Sequence, residues 1–83
     1  MLRLIFDFSK LRGRIKEKLG SESAFADKIQ ISQASLSSKF NNKSDFSASE
    51  IVRASDEDVL DIPINKIGEY FFTRKLELNS RKK

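Results

Sequence analysis

The segment from Gln33 to Phe40 has the composition of a surface that recognises a partner by hydrogen bonding. Its only large apolar residues are Leu36 and Phe40, and the other six positions hold one Gln, one Ala, three Ser and one Lys. Amide and hydroxyl groups both donate and accept hydrogen bonds, whereas a helix that needs only solubility usually carries Glu and Lys on its outer face. Small side chains also let a helix lie close against a surface. This segment is therefore the strongest candidate in the sequence for a binding surface.

The residue types that are missing restrict catalysis and metal binding. The chain has 83 residues with no His and no Cys, which removes imidazole bases, thiol nucleophiles and the usual zinc ligands. The sequence has no phosphate-cradling glycine loop, and consecutive acids such as Asp56, Glu57 and Asp58 do not point at one site from a helix. We therefore predict a binding protein and not an enzyme, without metal or cofactor. A solvated or protein-binding role is favoured for the acidic run.

Charge is unevenly distributed along the chain. The net charge is only +4, from 16 Lys and Arg against 12 Asp and Glu. Residues 1–43 carry +5, residues 44–70 carry −5 and residues 71–83 carry +4. A basic first half suits an anionic partner such as a phosphate backbone, and solvated helix faces are the ordinary alternative.

Apolar residues at helical spacing predict five helices in a single domain that covers residues 1–83. The predicted helices lie at about residues 9–19, 22–29, 33–40, 47–60 and 63–70. Asp7 or Ser9 is expected to cap the first helix, and Ser21 and Ser32 the next two. A break in the fourth helix near residues 55–58 is an open alternative. The predicted core includes Phe25, Ala26, Ile29, Ile31, Leu36 and Phe40.

The two ends of the chain favour extended structure. Residues 2–8 and 70–78 are rich in strand-favouring or alternating apolar residues, so a small terminal sheet within or between subunits accompanies the predicted all-α or mainly α fold. Tyr70, Phe71 and Phe72 are expected in the core or in a dimer interface. The basic tail at residues 79–83 is expected to be disordered. No segment reaches the length of a membrane span, and the predicted location is the cytoplasm.

Residues 22–42 resemble the helix-turn-helix motif of phage lambda repressor and the wider Cro/repressor family. The resemblance rests on the run from Phe25 to Ile29, the Ser32-Gln33 opening of the next helix and the Phe40-Asn41 ending. The motif covers about residues 21–42, and the general layout extends to Tyr70. Residues 9–15 and 69–72 are also similar to small Cro-like proteins encoded by prophages of Gram-positive bacteria.

This resemblance implies a lambda-repressor-like five-helix domain that binds double-stranded DNA sequence-specifically as a dimeric transcriptional regulator. The second helix of such a motif lies in the major groove. The residues implied to contact bases are Gln33, Ala34, Ser37 and Ser38. Those implied to contact phosphates are Ser21, Lys39, Asn41 and Lys43.

Two positions depart from the family pattern. The turn usually holds Gly where this chain has Gln30, which must either accept a left-handed conformation or reshape the turn. The second helix commonly begins with Gln where this chain has Glu22. Either Glu22 orients Gln33 by accepting its amide, or this corner of the domain stays away from the DNA backbone.

A different class of function is also compatible with the sequence. Some helix-turn-helix folds bind proteins instead of DNA. The acidic segment at residues 44–70 would then serve an antirepressor-like or antitoxin-like interaction module.

Overall fold

The computed structural model of the protein describes residues 5–75 and shows a helical domain. The helices are α1 (Ser9–Leu19), α2 (Glu22–Lys28), α3 (Gln33–Phe40), α4 (Ala48–Ser55) and α5 (Ile67–Phe71), with a 3₁₀ turn at Ile64–Lys66 before α5. The predicted all-α class and the five helices are confirmed. The bounds of the first three helices agree with prediction to within one residue, whereas the fourth helix is shorter than predicted and the fifth begins as the 3₁₀ turn.

Serine residues begin three of the helices. The hydroxyls of Ser21, Ser32 and Ser47 accept backbone N–H bonds from three residues further on, and each supplies an otherwise unpaired donor with a partner. Ser47 forms a complete capping box with Glu50. The structure thus confirms the predicted caps of α2 and α3.

Asp7 supports the start of α1 although it is not in the capping position. The prediction that Asp7 or Ser9 caps α1 is wrong, because Phe8 occupies that position without a side-chain cap and Ser9 is already the first helical residue. The Asp7 carboxylate accepts bonds from the Ser9 hydroxyl (2.6 Å) and the Ser9 backbone N–H (2.9 Å). Both bonds stabilise the ionised carboxylate, the hydroxyl bond most strongly, and so hold the pKa of Asp7 below its ordinary value.

Two helices end on left-handed residues other than glycine. Gln30 has φ 64° after α2, and Asn42 has φ 62° after α3. In each turn the left-handed residue and the residue after it donate backbone N–H bonds to the last carbonyl oxygens of the helix. One of these bonds runs from the Ile31 N–H to the Ala26 carbonyl oxygen, at 3.0 Å. Of the two alternatives for Gln30, the left-handed conformation is the one observed.

The predicted continuation of α4 to Leu60 is wrong, and the alternative of a break near residues 55–58 is the one observed, because an aspartate turn ends the helix at Ser55. Asp56 is extended (φ −54°, ψ 146°) and its carboxylate accepts the Asp58 backbone N–H at 3.0 Å. Short acidic side chains compete with helical backbone bonds in this way. Arg14 then holds the end of the turn by donating to the carbonyl oxygens of Leu60 and Asp61, each at 2.9 Å.

One apolar cluster connects all five helices. Its members are Phe8, Leu11, Ile15, Phe25, Ala26, Ile29, Leu36, Phe40, Ile51, Ala54, Leu60, Ile62 and Phe71. Five of the six predicted core residues belong to it, and the sixth, Ile31, is partly buried against it. The cluster fixes α3 against the rest of the domain through Leu36 and Phe40.

The two ends of the described chain meet in one antiparallel bridge between Phe6 and Arg74. Asp7 donates its backbone N–H to Thr73 and Lys75 donates to Ile5, both at 2.8 Å. The predicted terminal pairing therefore occurs within the chain, as a single bridge. Tyr70 and Phe71, which were predicted to be extended, belong instead to α5. Residues 2–4 and 76–78 of the predicted strands, and the basic tail at 79–83, lie outside the described residues.

Within residues 5–75, no helix combines the length and the apolar character needed to cross a membrane.

Candidate nucleic-acid interface

Helices α2 and α3 are joined by four residues, Ile29 to Ser32, and the turn brings the start of α3 to the surface. The left-handed Gln30 reverses the chain, and Ile31 turns inward against the core. Gln33 is the first residue of α3 and its side chain is exposed. The turn therefore presents an amide group at the end of a helix that is otherwise anchored in the core.

The amide of Gln33 has a defined partner on α2. Its Nε2 donates to Ser23 Oγ at 3.1 Å. The alternative in which Glu22 accepts this amide is not observed, because Glu22 instead pairs with Arg12 of α1 (Nε to Oε2, 2.8 Å). Ser23 is thus the residue that holds Gln33, and the sequence reasoning missed it.

The residues predicted to face bases lie along one exposed strip of α3. Gln33, Ala34 and Ser37 are exposed, and Ser38 is half-buried. Asn41 follows the helix and donates its side-chain amide to Ser37 Oγ at 3.4 Å. The strip thus offers amide, methyl and hydroxyl groups without a charged side chain among them.

Lys39 does not lie on this strip, although the resemblance implied a phosphate contact for it. The residue is 8% exposed. Its ammonium donates to the Asp45 carbonyl oxygen at 3.2 Å and lies 3.4 Å from Glu50 Oε1. This placement argues against a phosphate contact, because the charge is directed into the junction between α3 and α4.

Glu50 takes part in both the α4 cap and the ion pair with Lys39. Burial by itself would raise the pKa of this carboxyl. The backbone N–H of Ser47 and the charge of Lys39 outweigh that effect, so the pKa is lowered from 4.5. The carboxylate stays ionised and ties the end of α3 to the beginning of α4.

The other predicted phosphate contacts remain at the surface. Lys43 is exposed, and its backbone N–H donates to the Ser38 carbonyl at 2.8 Å, which fixes the chain directly after α3. Ser21 is exposed at the start of α2, with its Oγ accepting the Ala24 backbone N–H at 3.1 Å. These two side chains flank the strip at its opposite ends along the chain.

Arg12 is a basic residue beside α3 that the sequence reasoning did not identify. Its guanidinium carbon lies 4.8 Å from the centre of the Phe40 ring. Together with Glu22, it lines a shallow depression shared with Gln33, Ser37 and Asn41. No local pattern identifies this role, because it depends on the packing of α1 against α2 and α3.

The acidic run after α4 is spread over the surface. Asp56, Glu57 and Asp58 are exposed, and no group of carboxylates in the described part of the chain has the arrangement needed to hold a metal ion.

The fold and this surface define a small all-α domain in which the helix after a tight turn exposes one polar face. The family model described as "Protein of unknown function (DUF739)" matches residues 4–74, so the chain belongs to that family. The match includes all five helices. No curated protein matches the chain.

Proposed function

We propose that the protein is a sequence-specific double-stranded DNA-binding regulator of the Cro/lambda-repressor type, acting in the cytoplasm without a catalytic step. The observation that carries this proposal is the exposed Gln33 at the start of α3, held by Ser23 at 3.1 Å. In the helix-turn-helix motif, the beginning of the second helix is the part that meets base edges. The polar strip and the sequence resemblance support the same reading.

Each side chain of the strip has a matching feature in the major groove. An amide such as that of Gln33 bonds adenine N6 and N7 together, and the methyl group of Ala34 suits a thymine methyl. The hydroxyls of Ser37 and Ser38 can donate or accept. We therefore expect the recognised DNA site to be a short sequence with an adenine opposite Gln33.

Phosphate contacts would position the strip without reading sequence. Lys43, Asn41 and Ser21 remain the proposed phosphate ligands, since all three are exposed, the first two directly after α3 and Ser21 at the start of α2. Lys39 is left out of the proposal because its ammonium pairs with Glu50.

We further propose that a second copy of the chain completes the DNA-binding unit. One motif reads only a half-site, and paired motifs of this type read half-sites one helical turn apart, roughly 34 Å. Phe72 is 51% exposed and packs edge-on against Phe6 at 5.8 Å. These rings border an apolar groove with Phe46, Ile51 and Phe71, which is the proposed contact with the second copy.

Selection of bound sites from random duplex DNA tests this function. We expect a palindromic site with half-sites about one turn apart. A gel shift with the selected site, titrated against salt, measures its affinity. Absence of binding even at low salt would contradict the proposal.

One observation favours the alternative function, a protein-interaction module. Two large apolar residues of the acidic segment are exposed, Val52 at 68% and Ile64 at 87%. Exposed apolar groups next to acidic ones suit a basic, partly apolar protein surface. A failed DNA selection together with specific co-purification of a protein partner that Val52→Ser abolishes would support this alternative.

A further inference from the structure

The ion pair of Arg12 and Glu22 lies beside the proposed DNA-reading strip. Arg12 Nε donates to Glu22 Oε2 at 2.8 Å, and Nη2 lies 3.4 Å from Oε1. Both side chains are about half exposed, at 51% and 42%. The ion pair is therefore accessible to solvent, and another anion can replace the Glu22 carboxylate as the partner of Arg12.

The position of the guanidinium does not depend on Glu22 alone. Arg12 also lies over the Phe40 ring, 4.8 Å from its centre, and Phe40 is a core residue at the end of α3. A guanidinium stacked on an aromatic ring keeps its edge free for planar, two-point bonding to an oxyanion. The ring would hold Arg12 beside α3 whichever anion it bonds.

Arg12 and Glu22 have opposite effects on an approaching phosphate. Both line the depression bordered by Gln33, Ser37 and Asn41, so a DNA strand that follows the strip passes them. A phosphate presents the same kind of oxygen pair to Arg12 as the carboxylate does. The Glu22 carboxylate repels a phosphate that approaches this place. It also takes up the hydrogen-bond donors of Arg12 that the phosphate would use.

We propose that Arg12 is a phosphate ligand of the DNA interface and that Glu22 is its intramolecular competitor. This inference rests on the proposed DNA-binding function. DNA must displace the carboxylate from Arg12, so each encounter, on any sequence, is weakened by the same factor. The selected site carries the same factor, and its contacts with Gln33 and its neighbours keep its affinity high, whereas random DNA has only phosphate contacts to offset the factor. Glu22 thereby reduces retention on random DNA.

The test compares wild type with Arg12→Gln, Glu22→Gln and the double variant. Fluorescence anisotropy with a random-sequence duplex and with the selected site, over a salt series, gives affinities and salt slopes. Arg12→Gln is expected to weaken both duplexes about tenfold, as loss of a charged hydrogen bond does, and to reduce the salt slope by about one. Glu22→Gln is expected to strengthen both about threefold, the strength of an exposed ion pair.

The double variant distinguishes competition from simple charge. If Glu22 acts through Arg12, most of the threefold gain disappears in the Arg12→Gln background. If Glu22 acts only by its general charge, the gain persists there in full, and the proposal is overturned. Lys10→Gln and Glu69→Gln are matched controls, because Lys10 and Glu69 form an exposed pair between α1 and α5 that includes no residue of α2 or α3.

The outcomes also separate this inference from the function on which it rests. If wild type binds no DNA, the proposed function and the role of Arg12 both fail. If wild type binds its selected site and Arg12→Gln binds equally well, only the role of Arg12 fails. Thermal unfolding of each variant, followed by circular dichroism, shows whether a loss of binding comes from a loss of folding.

Discussion

The side-chain amide of Gln33 donates a hydrogen bond to the hydroxyl of Ser23 across the turn between α2 and α3, at 3.1 Å. The bond joins the first residue of α3 to the second residue of α2. Ser23 restricts the rotamers of a side chain that is otherwise exposed. A glutamine held in this way presents its amide oxygen and its second N–H in a fixed direction. Less conformational entropy is then lost when these atoms bind a partner.

Replacing Gln33 by Ala is expected to weaken binding to the selected DNA site by about 1–3 kcal/mol, the discrimination typical of one two-point base contact. Binding to random DNA should change little, because that binding depends on phosphate contacts. Competition gel shifts measure the two affinities together. Ser23→Ala should give a smaller loss in the same direction, since it loosens the amide without removing it. Equal losses on both DNAs for Gln33→Ala would contradict base reading.

Replacing Lys43 by Ala is expected to weaken binding to every DNA sequence alike and to reduce the salt slope by about one, as the loss of a single phosphate contact does. Lys43 is exposed directly after α3. Lys43→Arg keeps the charge and serves as the control, with the wild-type slope expected. A sequence-dependent loss in the Ala variant would place Lys43 at a base instead of a phosphate.

Local patterns were sufficient to predict the first three helices. The serine caps, the apolar spacing and the turn at Gln30 are all encoded within a few neighbouring residues, and the structure agrees with them. For the fourth helix, the range to Leu60 was too long because apolar residues continue past Ser55 to Val59 and Leu60, whereas the alternative of a break near residues 55–58 was correct. Those two residues reach the core from a turn, which periodicity does not distinguish from a helix.

Long-range pairing is what the sequence did not reveal about the candidate site. A lysine among serines, such as Lys39, has the pattern of an exposed residue, and only the packing of α4 shows that Glu50 meets it. Arg12 likewise gains its place from Glu22 and Phe40, which are distant in the chain. Residue types on α3 were predictable, whereas the direction of each charged side chain depended on tertiary structure.

Replacing Glu50 by Gln is expected to lower the free energy of unfolding by about 1–3 kcal/mol at neutral pH, as loss of a charged hydrogen-bond partner does. Its carboxylate accepts the Ser47 backbone N–H at 2.9 Å and lies 3.4 Å from Lys39 Nζ. Because the folded pKa lies below 4.5, the unfolded chain takes up the proton first as the pH falls. The stabilisation is therefore complete above that value and is lost as the pH falls through the folded pKa.

Urea unfolding of wild type and Glu50→Gln at neutral and acidic pH measures this dependence. The difference between the two proteins should shrink as the pH falls below 4.5. A difference that stays constant with pH would show that the carboxylate's charge is not what stabilises the junction. Lys39→Met should be destabilised at neutral pH too, with an unchanged salt slope for DNA binding, since its ammonium faces the interior.

Replacing Asn42 by Ala is expected to destabilise the domain by about 2–4 kcal/mol through two separate effects. The side chain accepts the Phe6 backbone N–H at 2.9 Å and donates to the Phe6 carbonyl oxygen at 3.0 Å, and each such bond contributes about 1 kcal/mol. Its φ of 62° adds a steric cost for Ala. Asn42→Gly relieves the steric part alone, so thermal unfolding should place it between wild type and Asn42→Ala. Equal stability of the two variants would assign the whole effect to the hydrogen bonds.

Replacing Gln30 by Gly is expected to stabilise the domain, because the residue already adopts φ 64° and its side chain is exposed. A left-handed residue with a Cβ costs about 1–2 kcal/mol, and glycine removes this cost. Part of the stabilisation is offset because glycine increases the conformational entropy of the unfolded chain. The net increase should be about 0.5–1 kcal/mol, a rise in Tm of roughly 2–8 °C for a domain of this size. Calorimetry measures this shift. Gly20, which has φ 84° after α1, supplies the reciprocal control: Gly20→Ala should lower Tm. If Gln30→Gly instead lowers Tm, the Gln30 side chain makes a stabilising interaction that outweighs the strain of its backbone.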